Sequence, residues 1–457
     1  MKYLILLITL FPLRTLACSA FFSNSNDKIL AKNFDWGSGQ GYIIKNRSGQ
    51  KKFSYGLRGS NNASWTSKYG SITFNQIGKE FPYGGINEKG LVVEQLWMSE
   101  SIYPNNNNQT ISELEWIQYQ LDNFTTIDEI ISNLNLLTIK PIATIHYFIA
   151  DKNGQSAVID FVEGKVIVNK KEGSNQVITN ETFTRSEKYY AINKHNIDKN
   201  SRTHFDRFCQ IKNSLANIEI ENPGQAFEIL NNSSENRENY KTYWTIVYNL
   251  STLTVYFKSF DNKTVKQFNL SEINFNPGSN IQASKINQDN FKLEDYSFAM
   301  NKQLFITSMK MMGLKIDEES GAIHQMNPGQ NRIDKIYQDN YIDLKITFLS
   351  KSGKGNIYYT IMNGQENFHK RRGIKSGLFP IQKKENKQMI YGMPKGEFAL
   401  ACFQDTNLDN KIDTKIFGIP KNYGFSGNKR GFFGTPPNYD QAKINFTEDT
   451  EIIVKIK

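Results

Sequence analysis

Leu16-Ala17-Cys18-Ser19-Ala20-Phe21-Phe22 is the stretch on which the reading of the fold turns, because it lies where a secretion leader should end and a catalytic chain could begin with a cysteine. Upstream, Lys2 supplies a positive n-region, Tyr3 to Leu13 an apolar run too short to span a bilayer, and Thr15-Leu16-Ala17 a cleavage position. Residues 1–17 therefore read as a signal peptide. Cleavage after Ala17 would leave Cys18 with a thiol and a free α-amine on one Cα, a nucleophile and a base within one residue. An unperturbed thiol titrates near ~8.5 and an α-amine near ~7.7–8.0, so a fraction of the amine is free to act as a base at neutral pH. Two other readings of Cys18 stand beside this one: an ordinary buried thiol, and the lipid-modified cysteine of a surface lipoprotein. Against the second, Thr15 occupies the position where a lipoprotein motif prefers an aliphatic residue, and Arg14 interrupts the apolar run.

The chain of 457 residues is too long for one core of ordinary size and implies two or more domains. Hydrophobic residues at 39% and aromatics at 13% suit packed domains rather than disorder. The formal charge of +10 is scattered among many Asn, with one short cluster at His369-Lys370-Arg371-Arg372, which argues against a nucleic-acid partner. With Cys18 set aside, Cys209 and Cys402 lie far apart, so no disulfide framework is implied. The five His residues show no paired metal-ligand spacing, which excludes the common zinc-hydrolase signatures. No cofactor is expected for catalysis, and no transmembrane segment once the leader is gone; the pattern leaves a homo-oligomer open.

From Cys18 to about Leu270 short strands mix with a few helices. Ile29 to Trp36, Tyr42 to Arg47, Ser71 to Ile77 and Leu91 to Trp97 read as strands between Gly and Asn turns. Capping boxes, Ser112 with Glu115 and Thr126 with Glu129, announce two helices. A meander comes next over Ile145 to Asn169, then a helical passage around 184–232, then strands at Thr242 to Leu250 and Leu253 to Phe260. This order predicts an α+β architecture with helices on the outer faces of sheets. Residues 271–335 carry one helix, Tyr296 to Met312, and from about Tyr341 the pattern is strand-like with no convincing helix, a small all-β sandwich-like domain. The expected division is a leader over 1–17, a first domain over 18–325, a linker over 326–340 and a β domain over 341–457.

Taken in order, Cys18-Ser19, Lys32-Asn33-Phe34-Asp35-Trp36, Asn87-Glu88-Lys89-Gly90-Leu91, Thr179-Asn180, Asp206-Arg207-Phe208 and Tyr243-Trp244-Thr245-Ile246-Val247-Tyr248 resemble the choloylglycine hydrolase and penicillin V acylase family over roughly residues 18–270. The resemblance implies an N-terminal-nucleophile hydrolase, a four-layer αββα sandwich whose exposed first residue cleaves a linear amide C–N bond of an N-acyl substrate. It implies Cys18 as nucleophile and, through its amine, base; Asp35 as the acceptor that orients the amine; the Trp97 backbone N–H and the Asn180 side-chain amide as oxyanion donors; and Arg207 beside the thiol, favouring thiolate. On local pattern alone, Asp35 reads equally as a strand-end turn residue, Asn180 as a helix N-cap, Arg207 as part of a solvated helix face and Trp97 as core. Lys32 stands where many relatives carry Arg, and Lys cannot make a planar bidentate contact, so substrate positioning at Lys32 is expected to differ. Trp97, where relatives often have Asn or Tyr, implies an altered acyl pocket.

The C-terminal domain resembles an uncharacterised β domain of exported bacterial proteins through Phe398-Ala399-Leu400-Ala401, the run from Asp405 to Asp413, Gly418-Ile419-Pro420 and Tyr423-Gly424-Phe425-Ser426. Asp405, Asn407, Asp409 and Asp413 have the alternate spacing of a calcium loop, but the twelfth position is Ile416 rather than Glu, so a structural calcium and a self-bonded Asx-rich turn both fit. The functional expectation is an exported amidase or acylase of bile-salt, penicillin V or acyl-homoserine-lactone type, periplasmic or extracellular. The alternative is a surface lipoprotein using the same fold without catalysis.

Overall fold

The computed structural model describes residues 18–54, 62–106, 108–198, 200–238, 240–311, 341–381, 383–409, 411–414, 421–431, 435–448 and 450–457. The expected leader and the linker over 326–340 lie outside them. The chain divides into two compact units, with the described residues from Cys18 to Met311 in the first, apart from 52–54 and 62, which group with the second.

The first unit is built on two sheets. One runs, edge to edge, Asn175–Ile178, Ser19–Asn24, Lys28–Trp36, Tyr240–Asn249, Thr254–Ser259 and Lys266–Asn269, with Asn236–Arg237 paired on Tyr240–Asn249. The other runs Lys165–Lys170, Ser156–Val162, Ile145–Ala150, Val92–Trp97, Pro82–Asn87, Ser71–Asn75, Tyr42–Asn46, Gln282–Lys285 and Glu294–Asp295. The period of two in a strand decides what each face meets. Phe21, Ile29, Ala31 and Val247 turn outward onto the helices His204–Asn217 and Pro223–Asn232, packing on Phe208, Ile211, Ala226 and Leu230. Their neighbours turn inward to the second sheet: Phe34 meets Tyr83 edge-on and Tyr248 meets Phe74. On the far side, the helix Glu113–Asn123 covers the second sheet, with Trp116 stacked on Tyr147 and Gln118 bonded to Ser71. The layers are therefore helix, sheet, sheet, helix, the expected αββα order. Each fully buried Phe, Leu or Ile contributes about 1.5–3 kcal/mol to holding these layers together.

The capping boxes at Ser112/Glu115 and Thr126/Glu129 are both formed and start the helices Glu113–Asn123 and Ile127–Ser132. The helix expected from Tyr296 is found as Phe298–Met311.

The second unit has two sheets, Glu385–Pro394, Tyr341–Leu349, Thr450–Lys455 and Lys375–Pro380, Asn356–Asn363, Gly396–Asp405, Tyr423–Phe425, with Lys443–Phe446 paired on Gly396–Asp405. Leu344, Ile346 and Phe348 from one share a core with Ile357, Ile361 and Leu400 from the other, as a sandwich requires. Two short helices that the sequence pattern does not reveal, Gly364–Lys370 and Tyr439–Ala442, lie between strands. The second is set by an Asn438/Gln441 capping box, a signal with only four residues of helix behind it.

In the loop considered for calcium, the side chains of Asp405, Asn407 and Asp409 bond within the loop itself. The Asp405 carboxylate accepts from the Leu408 N–H at 2.7 Å, Asp409 from the Lys411 N–H at 2.9 Å, and Asn407 bonds Asp409. Among the described residues no group of three His, Cys, Asp or Glu is placed to hold an ion. All three cysteines are buried and unpaired, and no helix among the described residues is long and apolar enough to cross a membrane.

Candidate active site

Cys18 immediately precedes the strand Ser19–Asn24, which lies between Asn175–Ile178 and Lys28–Trp36. That placement brings the start of the first strand beside the end of the second and the segment after Ile178. The Cys18 thiol faces the Asp35 carbonyl at 3.7 Å. Asp35 is fully buried; its Oδ1 accepts from the Thr242 hydroxyl and its carbonyl from Tyr240 Oη at 2.8 Å, whereas its Oδ2 has no hydrogen-bond partner. A strand-end turn residue in water would have no such constraint.

Arg207 enters from the helix His204–Asn217, the reverse of a solvated face: its side chain is 0% exposed. It donates to the Cys18 carbonyl at 2.8 Å, to Ser19 Oγ, to Asn180 Oδ1 at 3.1 Å and to the Arg202 carbonyl at 3.2 Å. Asn180 in turn donates to the Trp97 carbonyl at 2.8 Å. It caps no helix, since the N-cap of Phe183–Asn193 is Thr182. The neighbouring bond from Met98 N–H to the Thr144 carbonyl sets the ladder's alternation, so the Trp97 N–H and C=O point away from Ile145–Ala150, on the side where Asn180 sits. Cys18, Asp35, Arg207, Asn180 and Trp97 thus form one connected set of contacts.

Lys32 has different partners from those expected of a substrate contact. It is buried between the sheets, its ammonium bonded to Glu94 Oε2 and, at 3.1 Å, to the Tyr83 carbonyl, while Tyr248 Oη holds Glu94 Oε1. Burial pushes the Glu94 carboxyl up, and Lys32 and Tyr248 pull it back. Space for this pair depends on Gly84, directly opposite Glu94, where a Cβ would stand 1.9 Å from Oε2. Sequence pattern does not single out Glu94, Tyr83, Thr242 or Tyr240, and it marks Tyr248 only as part of the Tyr243 to Tyr248 motif. Thr242 and Tyr248 lie at or beside that motif, but their partners are set only by sheet register and facing sheets. At the rim, the Trp36 and Trp97 rings stand 6.0 Å apart.

Burial and the neighbouring Asp35 charge push the Cys18 thiol of the uncleaved chain up to about 11, while Lys32 and, as expected, Arg207 pull it down. A thiol so raised needs a base to take its proton at the moment of attack. Asp35 is likewise pushed up, to about 7, chiefly by burial, with Arg207 and Thr242 opposing. A folded chain then holds a proton at mildly acidic pH that the unfolded chain has released, so Asp35 costs stability progressively as pH rises through that window. The stability of the uncleaved chain relative to Asp35→Asn is expected to fall between about pH 4 and about pH 7, and to fall less in a chain starting at Cys18, whose ammonium would face the carboxylate. Urea unfolding followed by tryptophan fluorescence reads this directly, because Trp36, Trp65, Trp97, Trp116 and Trp244 all belong to the first unit. A rise with pH in the uncleaved chain would contradict the assignment.

Residues 18–210 match the family described as Linear amide C-N hydrolases, choloylglycine hydrolase family, and residues 348–454 match Uncharacterized protein conserved in bacteria (DUF2141). A penicillin V acylase of Pectobacterium atrosepticum is 32% identical over 195 residues, 38% of this chain and 51% of the relative, so the match spans about half that protein's length. Among solved structures, a penicillin V acylase from Agrobacterium tumefaciens aligns with a TM-score of 0.54 and 24% identity over 61% of this chain and 98% of that one. A conjugated bile acid hydrolase from Clostridium perfringens aligns with a TM-score of 0.51 and 18% identity over 62% and 100%. At these identities the two structures speak for the fold alone, which they share with the first unit.

Proposed function

We propose that this chain, whose residues 18–210 match the choloylglycine hydrolase family, is an exported amidase that cleaves the linear C–N bond of an N-acyl amide through Cys18, made N-terminal by removal of residues 1–17. The observation that carries the reading is Asp35 Oδ2, a buried carboxylate oxygen beside Cys18 without a hydrogen-bond partner. An N–H of the α-amino group on a processed Cys18 is the donor that would satisfy it, and leaving such an oxygen unpaired costs about 1–3 kcal/mol or more.

In the proposed reaction the Cys18 amine takes the thiol proton as sulfur attacks the acyl carbon. Negative charge develops on the former carbonyl oxygen and is met by the Trp97 backbone N–H and the second N–H of the Asn180 amide nitrogen. The ammonium then protonates the departing amine as the C–N bond breaks, leaving a thioester on Cys18. Water, deprotonated by the same amine, attacks the thioester and releases the carboxylic acid and the thiol. Arg207 holds the Cys18 carbonyl and the Asn180 amide in one geometry throughout.

The names of the similar proteins suggest two members of a substrate panel, penicillin V and a conjugated bile salt, and an N-acyl-homoserine lactone completes it. The deciding measurement is the intact mass and N-terminal sequence of protein exported by a bacterial host, together with turnover of that panel. A chain beginning at unmodified Cys18 and hydrolysing one of the amides is expected. An acylated Cys18 would remove the base and leave the lipoprotein reading, whereas an internal Cys18 in the exported protein would remove the base and leave an ordinary buried thiol.

A further inference from the structure

His146 lies fully buried on Ile145–Ala150, one residue from Ile145, which stands opposite Trp97 in the neighbouring strand. Its Nδ1 is 2.8 Å from Asp160 Oδ1 and its Nε2 is 2.9 Å from the Thr179 carbonyl oxygen. A carbonyl oxygen only accepts hydrogen bonds, and so does an ionised carboxylate. Asp160 Oδ2 accepts from the Phe183 N–H at 3.0 Å and from Asn169 at 3.4 Å. Set between a carbonyl and an ionised carboxylate, both ring nitrogens would donate. The Thr179 carbonyl belongs to the peptide that leads into Asn180, so the ring grips the backbone at the base of one oxyanion donor while its own strand carries the partner of the other.

Building on the oxyanion roles proposed for Asn180 and Trp97, we propose that the His146–Asp160 pair is a positioning device: a doubly protonated imidazole that fixes the distance between Asn180 and the Trp97 N–H. The pair touches no reacting atom. Its work is to tie Thr179-Asn180, which follows the edge strand of one sheet, to the strand next to Val92–Trp97 in the other. No other described side chain holds the Thr179 carbonyl, whereas the Thr179 hydroxyl bonds the His204 carbonyl at 2.9 Å and anchors the same segment to the Arg207 helix.

A neutral amide has one donor end and one acceptor end, which makes the proposal testable by swapping donors. With His146→Gln, either orientation sets an amide oxygen against Asp160 or against the Thr179 carbonyl. In the processed enzyme this variant is expected to lose roughly 10- to 100-fold in kcat, the scale of a small misplacement of a catalytic donor, with KM little moved. Asp160→Asn alone is expected to be mild, because its amide N–H can face a neutral ring that still donates to Thr179. The double variant His146→Gln/Asp160→Asn restores complementary ends and is expected to recover most of the lost kcat. Alkylation of Cys18 by iodoacetamide forms no oxyanion, so its rate should be unchanged in all three.

Wild-type kcat in His146→Gln, no recovery in the double variant, or a parallel loss of alkylation would overturn the proposal, the last by showing general disruption. Two readouts do not depend on turnover. With 15N-labelled histidine the His146 ring should show two protonated nitrogens in the wild type and one in Asp160→Asn; one protonated nitrogen in the wild type refutes the claim. The Asn180 side-chain amide resonances should shift in His146→Gln and return in the double variant, and unmoved resonances refute it as well. If the wild type hydrolyses none of the panel, the amidase reading fails by itself, and these signals still decide whether the pair positions Asn180.

Discussion

Replacing Cys18 by Ala in the processed chain is expected to lower kcat/KM for a hydrolysed N-acyl amide by on the order of 10⁴-fold or more, while the unfolding transition of the first unit stays close to wild type. The expectation rests on two findings. In the uncleaved chain the thiol is buried and pushed up to about 11, so its attack needs a base to take the proton, and its one described hydrogen-bond partner is the Asp35 carbonyl, which cannot serve. The amine that cleavage would create on the same residue is the proposed base. A second variant therefore belongs in the experiment: a chain retaining one extra residue ahead of Cys18, thiol intact and amine converted to an amide. It should fall nearly as far as Cys18→Ala. Equal activity in the extended and processed chains would sink the amine's role and leave only a thiol enzyme of another kind.

The second large effect is expected at Arg207. Substitution by Met removes donors to the Cys18 carbonyl, Ser19 Oγ, Asn180 Oδ1 and the Arg202 carbonyl in one step, and takes from the buried Asp35 the cation that most opposes its upward shift. Breaking a buried charge arrangement by deleting one partner typically costs about 3–5 kcal/mol. A loss of that size is expected in the urea transition read by tryptophan fluorescence. Arg207→Lys separates structure from chemistry. An ammonium is a point charge and cannot reach acceptors spread around a planar guanidinium, so the Lys variant should retain more stability than Met yet still lose kcat, because the Asn180 amide and the Cys18 carbonyl are no longer both held by one guanidinium. A Met variant within about 1 kcal/mol of wild type would show that solvent reaches this pocket and that Arg207 is not the keystone assigned to it.

Local signals carry far where the deciding interaction is local. The capping boxes at Ser112 and Thr126 start the helices they predict because the donor and acceptor lie within one turn. The strands at 42–46, 71–75 and 92–97 arise from period-two patterning, which depends only on which neighbours are apolar. The ordered motifs also lead to Cys18, Asp35, Trp97, Asn180 and Arg207, and the fold joins all five. Sequence alone does not separate Asn180 as oxyanion donor from Asn180 as N-cap, since both uses suit an amide in an extended segment; the tertiary contacts to Trp97 and Arg207 exclude the cap.

Charge states and long-range pairs lie beyond the pattern. Lys32 and Glu94 are 62 residues apart and meet only because two sheets face each other across a gap that Gly84 leaves open. The thiol and Asp35 are shifted upward by desolvation, a property of the finished interior that no neighbouring residue in the chain encodes. His146 shows the division most clearly. In the sequence it is a lone histidine in an apolar strand, without metal spacing or motif; in the fold, the register that sets it between Asp160 and the Thr179 carbonyl gives both its nitrogens an acceptor. The chain by itself determined which segments become strands and helices and which residue types the chemistry has at hand. Only the tertiary structure decided which buried polar atoms face one another, because in a low-dielectric interior each must find its partner across the layers rather than along the chain.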